Sequence, residues 1–492
     1  MSLILAIDQS TSATKAILFD TRGKVLDKAS RSHRQIYPRP GWVEHDVEEI
    51  WRNVLAVIRE IAGRNRKNLS QIAGLSIANQ RETVVVFNPL TGKPLLNAIV
   101  WQCRRGAAIC EKLQRLGHGP MIRRKTGLMV DTYFSASKLK WLAAERPDIT
   151  AKWKNGEAVA GTIDTFLIHR LTHGKVFATD FTNASRTMLF DIGRLRWDEQ
   201  LCKLFGVPPR ALPEVRESAA QFGVTDAKGI LPKPIPIVGV MGDSQASLFA
   251  QRCFQPGAAK ATFGTGTSVL LNIGGKFRPS ERGVITALAW VFRGKPIYAF
   301  EGIINFSAAT IEWLRNQLEL IQSAGEVENM AVRVKENGGV YLVPAFAGLS
   351  APYWSPEARA AIVGMTGFTK KEHIVRAAQE AIAYQIRDVL DMMRADSKIN
   401  WHSLHADGGP TRNKFIMQFT ADITGVELKV SDVPESSAWG AAMQGLLGLG
   451  IYKSLDELAK LKRAQKIFRP KMNSKLVGKN YAGWKQAVKR VL

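Results

Sequence analysis

LILAIDQSTSATKAILFD, residues Leu3–Asp20, decides the fold. Leu3–Ile7 is an unbroken apolar run, as a strand buried on both faces requires. The polar turn DQSTSAT (Asp8–Thr14) follows. Ala16–Asp20 then reads as a second strand, closed by a turn at Thr21–Lys24. The result is a hairpin with hydroxyls at its tip. The same design returns at Ala259–Ile273, where strand-like residues up to Phe263 lead into the turn GTGTS (Gly264–Ser268) and out through VLLNI. The two halves of the chain are expected to be built alike.

Between the hairpins, apolar spacing of 3.6 predicts helices over Val47–Gly63 and Ser135–Ala144, and strands over Ile72–Ala78 and Thr83–Phe87. After the loop PAFAGLSAPYW (344–354), a long helical pattern runs from Lys371 to Met393. This alternation gives an α/β class, and 492 residues give two or more domains. The apolar strand in PIPIVGVMGDSQ ends at Gly242-Asp243 near mid-chain. The expected division is therefore 1–245 and 246–492, with Asp243 at the cleft.

Lys and Arg number 68 against 43 acidic residues, a formal charge of +25. Such an excess attracts anions, nucleic acid among them. The basic residues are spread along the chain, however, and no finger, homeodomain or aromatic-basic RNA motif is present, so no nucleic-acid partner is expected. Cys103, Cys110, Cys202 and Cys253 have no paired spacing for a disulfide framework or zinc site. His402 and His405 lack a third metal ligand. Leu3–Ile7 is too short for a signal core, and no run approaches the ~18 apolar residues of a membrane span. A cytoplasmic protein without membrane insertion is expected.

The chemistry the residues can support is phosphoryl transfer, which needs a phosphate cradle, a cation and a carboxylate near the attacking hydroxyl. Thr11, Ser12, Thr14 and Lys15 on the first turn, and Gly264, Thr265 and Gly266 on the second, can donate to phosphate oxygens. Each turn alone reads equally well as a plain hairpin closure. Asp8, directly after a buried strand, can hold hydrated magnesium or form an Asx turn. Asp407-Gly408-Gly409 with Asn413 fits a nucleotide loop or a capped strand-to-helix turn. Arg81 and Glu82 together can clamp vicinal hydroxyls. Trp101 and Tyr133 offer apolar faces to a carbon chain, or simply fill core. No GxxxxGK[ST] loop and no HRD/DFG set occurs.

Taken in order, GWVEHD (41–46), NQRET (79–83), NAIVWQCRR (97–105), YFSASKLKW (133–141), TNASRTMLF (182–190), PAFAGLSAPYW (344–354) and YAGWKQAVKR (481–490) resemble the glycerol kinases of the FGGY carbohydrate kinase family nearly end to end. Tyr133–Trp141 and Ala360–Glu380 resemble the two family signatures, with small departures at Ala144 and Gln379. The resemblance implies two ribonuclease-H-like (actin/hexokinase-like) domains with a central cleft that closes over ATP and a small polyol. It makes Asp243 the general base. Arg81, Glu82, Trp101 and Tyr133 become the polyol site. Thr11, Ser12, Lys15, Thr265, Ala308, Gly409 and Asn413 fall to the nucleotide, and Asp8 with Asp243 to Mg2+. A homo-oligomer, dimer or tetramer, is also expected. Glycerol is the first-ranked substrate.

Three positions depart from the pattern. Ser244 stands where the family has glutamine, Ser268 where it has phenylalanine, and Ala308 where it has glycine. The two serines shrink the polyol wall and open an alternative, a larger polyol or ketose such as a tetritol or pentitol. No match is found to the glycine-rich loop through which sugar bisphosphates regulate some bacterial relatives.

Overall fold

The computed structural model describes every residue except 1, 347, 350, 356, 400–402 and 432–434; His402 lies outside the described residues. Strand β1 (Leu3–Gln9) pairs antiparallel with β2 (Ala13–Asp20), which pairs with β3 (Val25–Ser32). On its other side β1 runs parallel to β4 (Ile72–Asn79). Adding β5 (Gln221–Thr225) and β6 (Ile235–Gly242) gives a six-stranded sheet of order β5-β6-β4-β1-β2-β3. The second sheet is built from β7 (Ala259–Phe263), β8 (Thr267–Gly274), β9 (Ile285–Phe292), β10 (Lys295–Ile304), β11 (Ser403–Asp407), β12 (Glu427–Ser431) and β13 (Gln465–Phe468), in the order β9-β10-β8-β7-β11-β12-β13. β7 repeats the surroundings of β1, antiparallel to the next strand across a hairpin and parallel to β11 on the other side. The internal echo read from the two hairpins is thus a repeated topology.

Both hairpins extend further than their apolar runs. Asp8 and Gln9 stay in β1 because each is paired on both sides, with Lys15 and Thr14 of β2 and with Ala78 and Asn79 of β4. Ladder bonding, rather than side-chain polarity, sets the strand end. The strand expected at Thr83–Phe87 shrinks to Val85–Phe87, because the chain first makes a tight turn in which Thr83 N–H donates to Arg81 C=O at 2.8 Å.

Helix α1 (Val47–Arg64) starts at the N-cap Asp46, whose side chain accepts from Glu48 N–H. Val47, Ile50, Trp51, Val54, Ile58 and Ile61 form its buried stripe against β2 and β3. Helix α2 (Ser135–Glu145) and α3 (Asp243–Ala250) follow. In the second half come α4 (Ala309–Asn316), the long α5 (Lys371–Ser397), α6 (Lys414–Thr424) and α7 (Ser436–Gly448). Helix α7 returns to the first sheet, packing on β1, β4, β6 and α3. A single apolar cluster therefore joins Ile4, Ile17 and Phe19 of the first sheet, Leu270 and Ala299 of the second, and Leu248 and Met443 of the helices between them. The two sheets meet through α3 and α7, and the first residue of α3 is Asp243.

Candidate active site

Beyond β4 the chain turns through Arg81 and Glu82, and Glu82 takes φ = 63°, a left-handed conformation unusual for a side-chain-bearing residue. Strain of this kind is found where neighbours over-determine the backbone. Here the neighbours are charges. Arg81 Nε lies 3.2 Å from Asp243 Oδ1, its Nη1 donates to Gln245 Oε1 at 3.1 Å, and its Nη2 donates to Glu301 Oε1 at 2.8 Å. Arg186 Nε donates to Glu82 Oε1 at 2.6 Å, and its Nη1 lies 2.6 Å from Glu301 Oε2. Burial alone lifts the Glu301 carboxyl, yet Arg186 and Arg81 outweigh it and hold the group at about 2. For Glu82 burial prevails over the attraction of Arg81 and Arg186, so its carboxyl stays above the ordinary range. Glu301 comes from β10 of the second sheet, so the hydroxyl clamp read at Arg81 and Glu82 is gripped from across the cleft.

Neither Arg186 nor Glu301 was singled out by sequence reasoning. Arg186 lies within TNASRTMLF, a stretch noted only for its resemblance. Glu301 stands in the apolar run YAFEGII, and a lone acid in such a run is itself a sign of a compensated buried charge.

A cavity of about 580 Å³ opens beside this network. Asp243 lines it from the start of α3, with its side chain 36% exposed and its Oδ1 also accepting from Ser244 N–H at 2.7 Å. Arg81, Glu82, Trp101, Tyr133, Thr11, Ser244, Ser268 and Thr265 also line it. The Trp101 and Tyr133 rings lie 5.1 Å apart, and Trp101 Nε1 donates to Thr11 Oγ1 at 2.9 Å. Ser268 Oγ lies 3.4 Å from Glu301 Oε1, where it donates a weak bond.

The turn Gly264–Gly266 lines the first cavity and is hydrogen-bonded to Ala308, which lines a second cavity of about 560 Å³. Ala308 N–H donates to Gly264 C=O at 3.1 Å, and Ser307 N–H to Thr265 C=O at 2.8 Å. Ala308, Gly409 and Asn413 line this second space together with apolar Ile311, Val327 and Ile416. Asn413 is also the N-cap of α6, its Oδ1 accepting from Ile416 N–H at 3.0 Å. Its Nδ2 donates to Gln379 Oε1 at 2.9 Å, so the signature departure at Gln379 holds Asn413 in place. Gly408 has φ = 100°, and a Cβ there would lie 1.9 Å from Phe263 C=O, so no other residue fits beside β7.

Asp8 is 6% exposed, and burial, opposed by Lys15, raises its carboxyl to about 6. Lys15 Nζ sits 3.6 Å from Asp8 Oδ2 and 2.7 Å from Glu435 Oε2, so carboxylates occupy it and it lines neither cavity. Ser12 is exposed at the hairpin tip, also outside both linings, and Thr14 is fully buried. Of the first turn, Thr11 reaches the cavity. The Glu435 and Asp243 carboxylates add to the rise at Asp8. Among the described residues no group of three or more His, Cys, Asp or Glu forms a protein-only metal cage. A magnesium ion held by one or two carboxylates, water and substrate phosphates needs no such cage, and the under-compensated Asp8 suits it.

Two domains of like topology, a cavity lined by charged, hydroxyl and aromatic side chains together with a glycine turn, and a second cavity reached from that turn through Ala308 are the features of a two-domain small-molecule kinase. The model for the FGGY family of carbohydrate kinases, N-terminal domain, matches residues 3–250, and that for the C-terminal domain matches 259–449. The chain belongs to this family. It is 46% identical over 489 residues to the glycerol kinase of Desulfitobacterium hafniense and 47% identical over 489 residues to glycerol kinase 1 of Thermotoga maritima, covering 99% of each chain in both cases. Its structure is similar to that of Plasmodium falciparum glycerol kinase with ADP, with TM-score 0.95 and 39% identity, covering 100% of this chain and 98% of that one. It shares the fold of the xylulose kinase of Lactobacillus acidophilus at TM-score 0.89 and 20% identity, over 99% and 97% of the chains. No helix of the described residues is long and apolar enough to cross a membrane.

Proposed function

We propose that this chain transfers the γ-phosphate of ATP to a terminal hydroxyl of glycerol, giving glycerol 3-phosphate. The observation that carries this reading is Asp243, 3.2 Å from the guanidinium of Arg81 and on the wall of a cavity also lined by the Gly264–Gly266 turn. Arg81 and Glu82 take the two hydroxyls not undergoing reaction, one donating and one accepting. The Trp101 and Tyr133 faces cover the carbon chain. Asp243 Oδ2 accepts the proton of the attacking hydroxyl, a contribution of about 10²–10⁴-fold for a placed base. Arg81 orients the same carboxylate through Oδ1, so most of the gain is positional. The adenine side of ATP lies in the second cavity against Ala308, Gly409 and Asn413. The triphosphate passes Thr265, whose turn offers backbone N–H groups.

Asp8 and Asp243 are the residues proposed to hold Mg2+, which when bound neutralises charge on the β- and γ-oxygens. Lys15 pairs with Glu435 at 2.7 Å and offsets Asp8 only in part from 3.6 Å.

A larger polyol or ketose is the second reading, and it rests on Ser244 and Ser268, both small and both on the wall of the 580 Å³ cavity. A coupled assay of ADP release over C3 to C6 polyols and ketoses tests both. The expected result is the highest kcat/KM for glycerol. A pentitol or ketose ahead of glycerol overturns the first reading in favour of the second, and polyol-independent ADP release overturns both.

A further inference from the structure

At the far end of α3 from Asp243 lies another cavity, of about 180 Å³, whose lining holds five cations and no carboxylate: Arg22, Lys24, Arg252, Lys462 and Arg463, with Trp439 beside them. Three separate chain segments bring them together. Arg22 and Lys24 come from the β2–β3 turn, Arg252 follows α3, and Lys462 and Arg463 precede β13. The turn is fixed in place. Gly23 has φ = 92° and lies flat on Trp439, where a Cβ would meet the indole at 2.8 Å, and Asp20 Oδ1 accepts from the N–H groups of Arg22 and Lys24 at 2.8 and 2.9 Å.

Like charges gathered in one hollow repel, so the arrangement is costly unless an anion is present. Its strain is visible at Arg463. Nη2 donates to Gln251 Oε1 and Nη1 to Ala250 C=O at 3.4 Å, while the buried Nε has no hydrogen-bond partner. Burial, with Arg252 beside it, pushes the Arg463 guanidinium down to about 10. The same field reaches His405. Burial, then Arg463, Lys429 and Arg252, hold its imidazole at about 3. An unpartnered guanidinium N–H on a residue lining a cationic hollow matches a tetrahedral oxyanion, which supplies several acceptors at once. The volume admits a phosphate group with a few carbons and is too small for a nucleotide, whose triphosphate lies beyond its reach at the other end of α3.

We propose that this cavity is a binding site for a phosphate dianion, taken either as inorganic phosphate or as the head of a small phosphomonoester. It is separate from the two cavities of the reaction and uses none of their residues.

The test is isothermal titration of the full chain with inorganic phosphate and, separately, with glycerol 3-phosphate. Both reaction cavities are first filled with glycerol and a non-hydrolysable ATP analogue, and ionic strength is held constant with chloride. One saturable site is expected for at least one probe, and the tighter probe identifies the source. Lys24→Gln and Lys462→Gln, each removing one exposed charge at the rim, should weaken it about tenfold, the value of one charge-assisted hydrogen bond. Lys475→Gln, an exposed lysine elsewhere, should leave it unchanged. No saturable uptake up to about 10 mM, a binding free energy below ~3 kcal/mol, overturns the proposal. So does an equal loss in the Lys475 variant, which would mean diffuse attraction to a basic surface.

Discussion

Replacing Glu301 by glutamine removes one charge from the middle of the network while keeping its shape. The carboxylate is completely buried, 2.8 Å from Arg81 and 2.6 Å from Arg186, and both guanidinium groups are at most 4% exposed. Its folded-state value of about 2 lies below the ordinary 4.5. At about 1.36 kcal/mol per unit, a difference of that order is worth roughly 3 kcal/mol at pH 7. That agrees with the ~3–5 kcal/mol lost when a buried pair loses one partner. The sign follows from the depressed value. The folded state binds fewer protons than the unfolded one between pH 4.5 and 2, so the contribution is complete above 4.5 and drains away as pH falls through that window. By linkage it should fall from roughly 3 kcal/mol at pH 7 to roughly 2 kcal/mol at pH 3.5.

Urea unfolding of both proteins, followed by tryptophan fluorescence at the two pH values, reads the gap directly. A second readout separates a site effect from a general loss of stability. Arg81 loses its anchor on the second sheet, so the polyol KM should rise while the ATP KM holds. A gap below about 1 kcal/mol at pH 7, or one that does not narrow in acid, refutes the view that Glu301 acts through its charge.

Asp243→Asn should retain ATP binding, measured by titration, and lose about 10²–10⁴-fold in kcat; full turnover would remove Asp243 from the role of base. Ser268→Phe should restore an aromatic wall and shift kcat/KM toward glycerol against C4 and C5 polyols by about 1–3 kcal/mol, read in the same ADP-release assay, and a shift the other way would mean that the wall does not meet the substrate. Asn413→Ala should reduce stability by about 1 kcal/mol through loss of the α6 cap and also raise the ATP KM; a stability loss with an unchanged KM would assign Asn413 to the cap alone.

The repeated hairpin, the α/β class and the place of Asp243 where a strand ends and a helix starts were legible because they depend on local pattern, namely apolar runs of strand length and the glycine and hydroxyl turns between them. Strand ends were less legible. Asp8 and Gln9 are polar and look like turn residues, but a strand paired on both sides continues through them whatever their polarity. The second half of the site was hidden for a different reason. Arg186 and Glu301 are 104 and 220 residues away in sequence from their partners Glu82 and Arg81, and ion pairing at such separation leaves no spacing to find.

Lys15 shows the opposite error of inference, in which residue type points to a phosphate and the fold supplies a nearer anion. As an isolated lysine on a hydroxyl-rich turn it is a natural phosphate ligand. Folding places it between Asp8 and Glu435, 420 residues further along, where it offsets the charge of a carboxylate that burial has already driven up to about 6. Lys15 is thus shared between Asp8 and Glu435 and is not given over to a phosphate. Glu435 in turn is held below the ordinary range: burial works against this, and the hydrogen bonds from Lys15 and Lys28 prevail. Asp8, Lys15 and Glu435 form one charged unit that ties the first hairpin to a residue late in the chain.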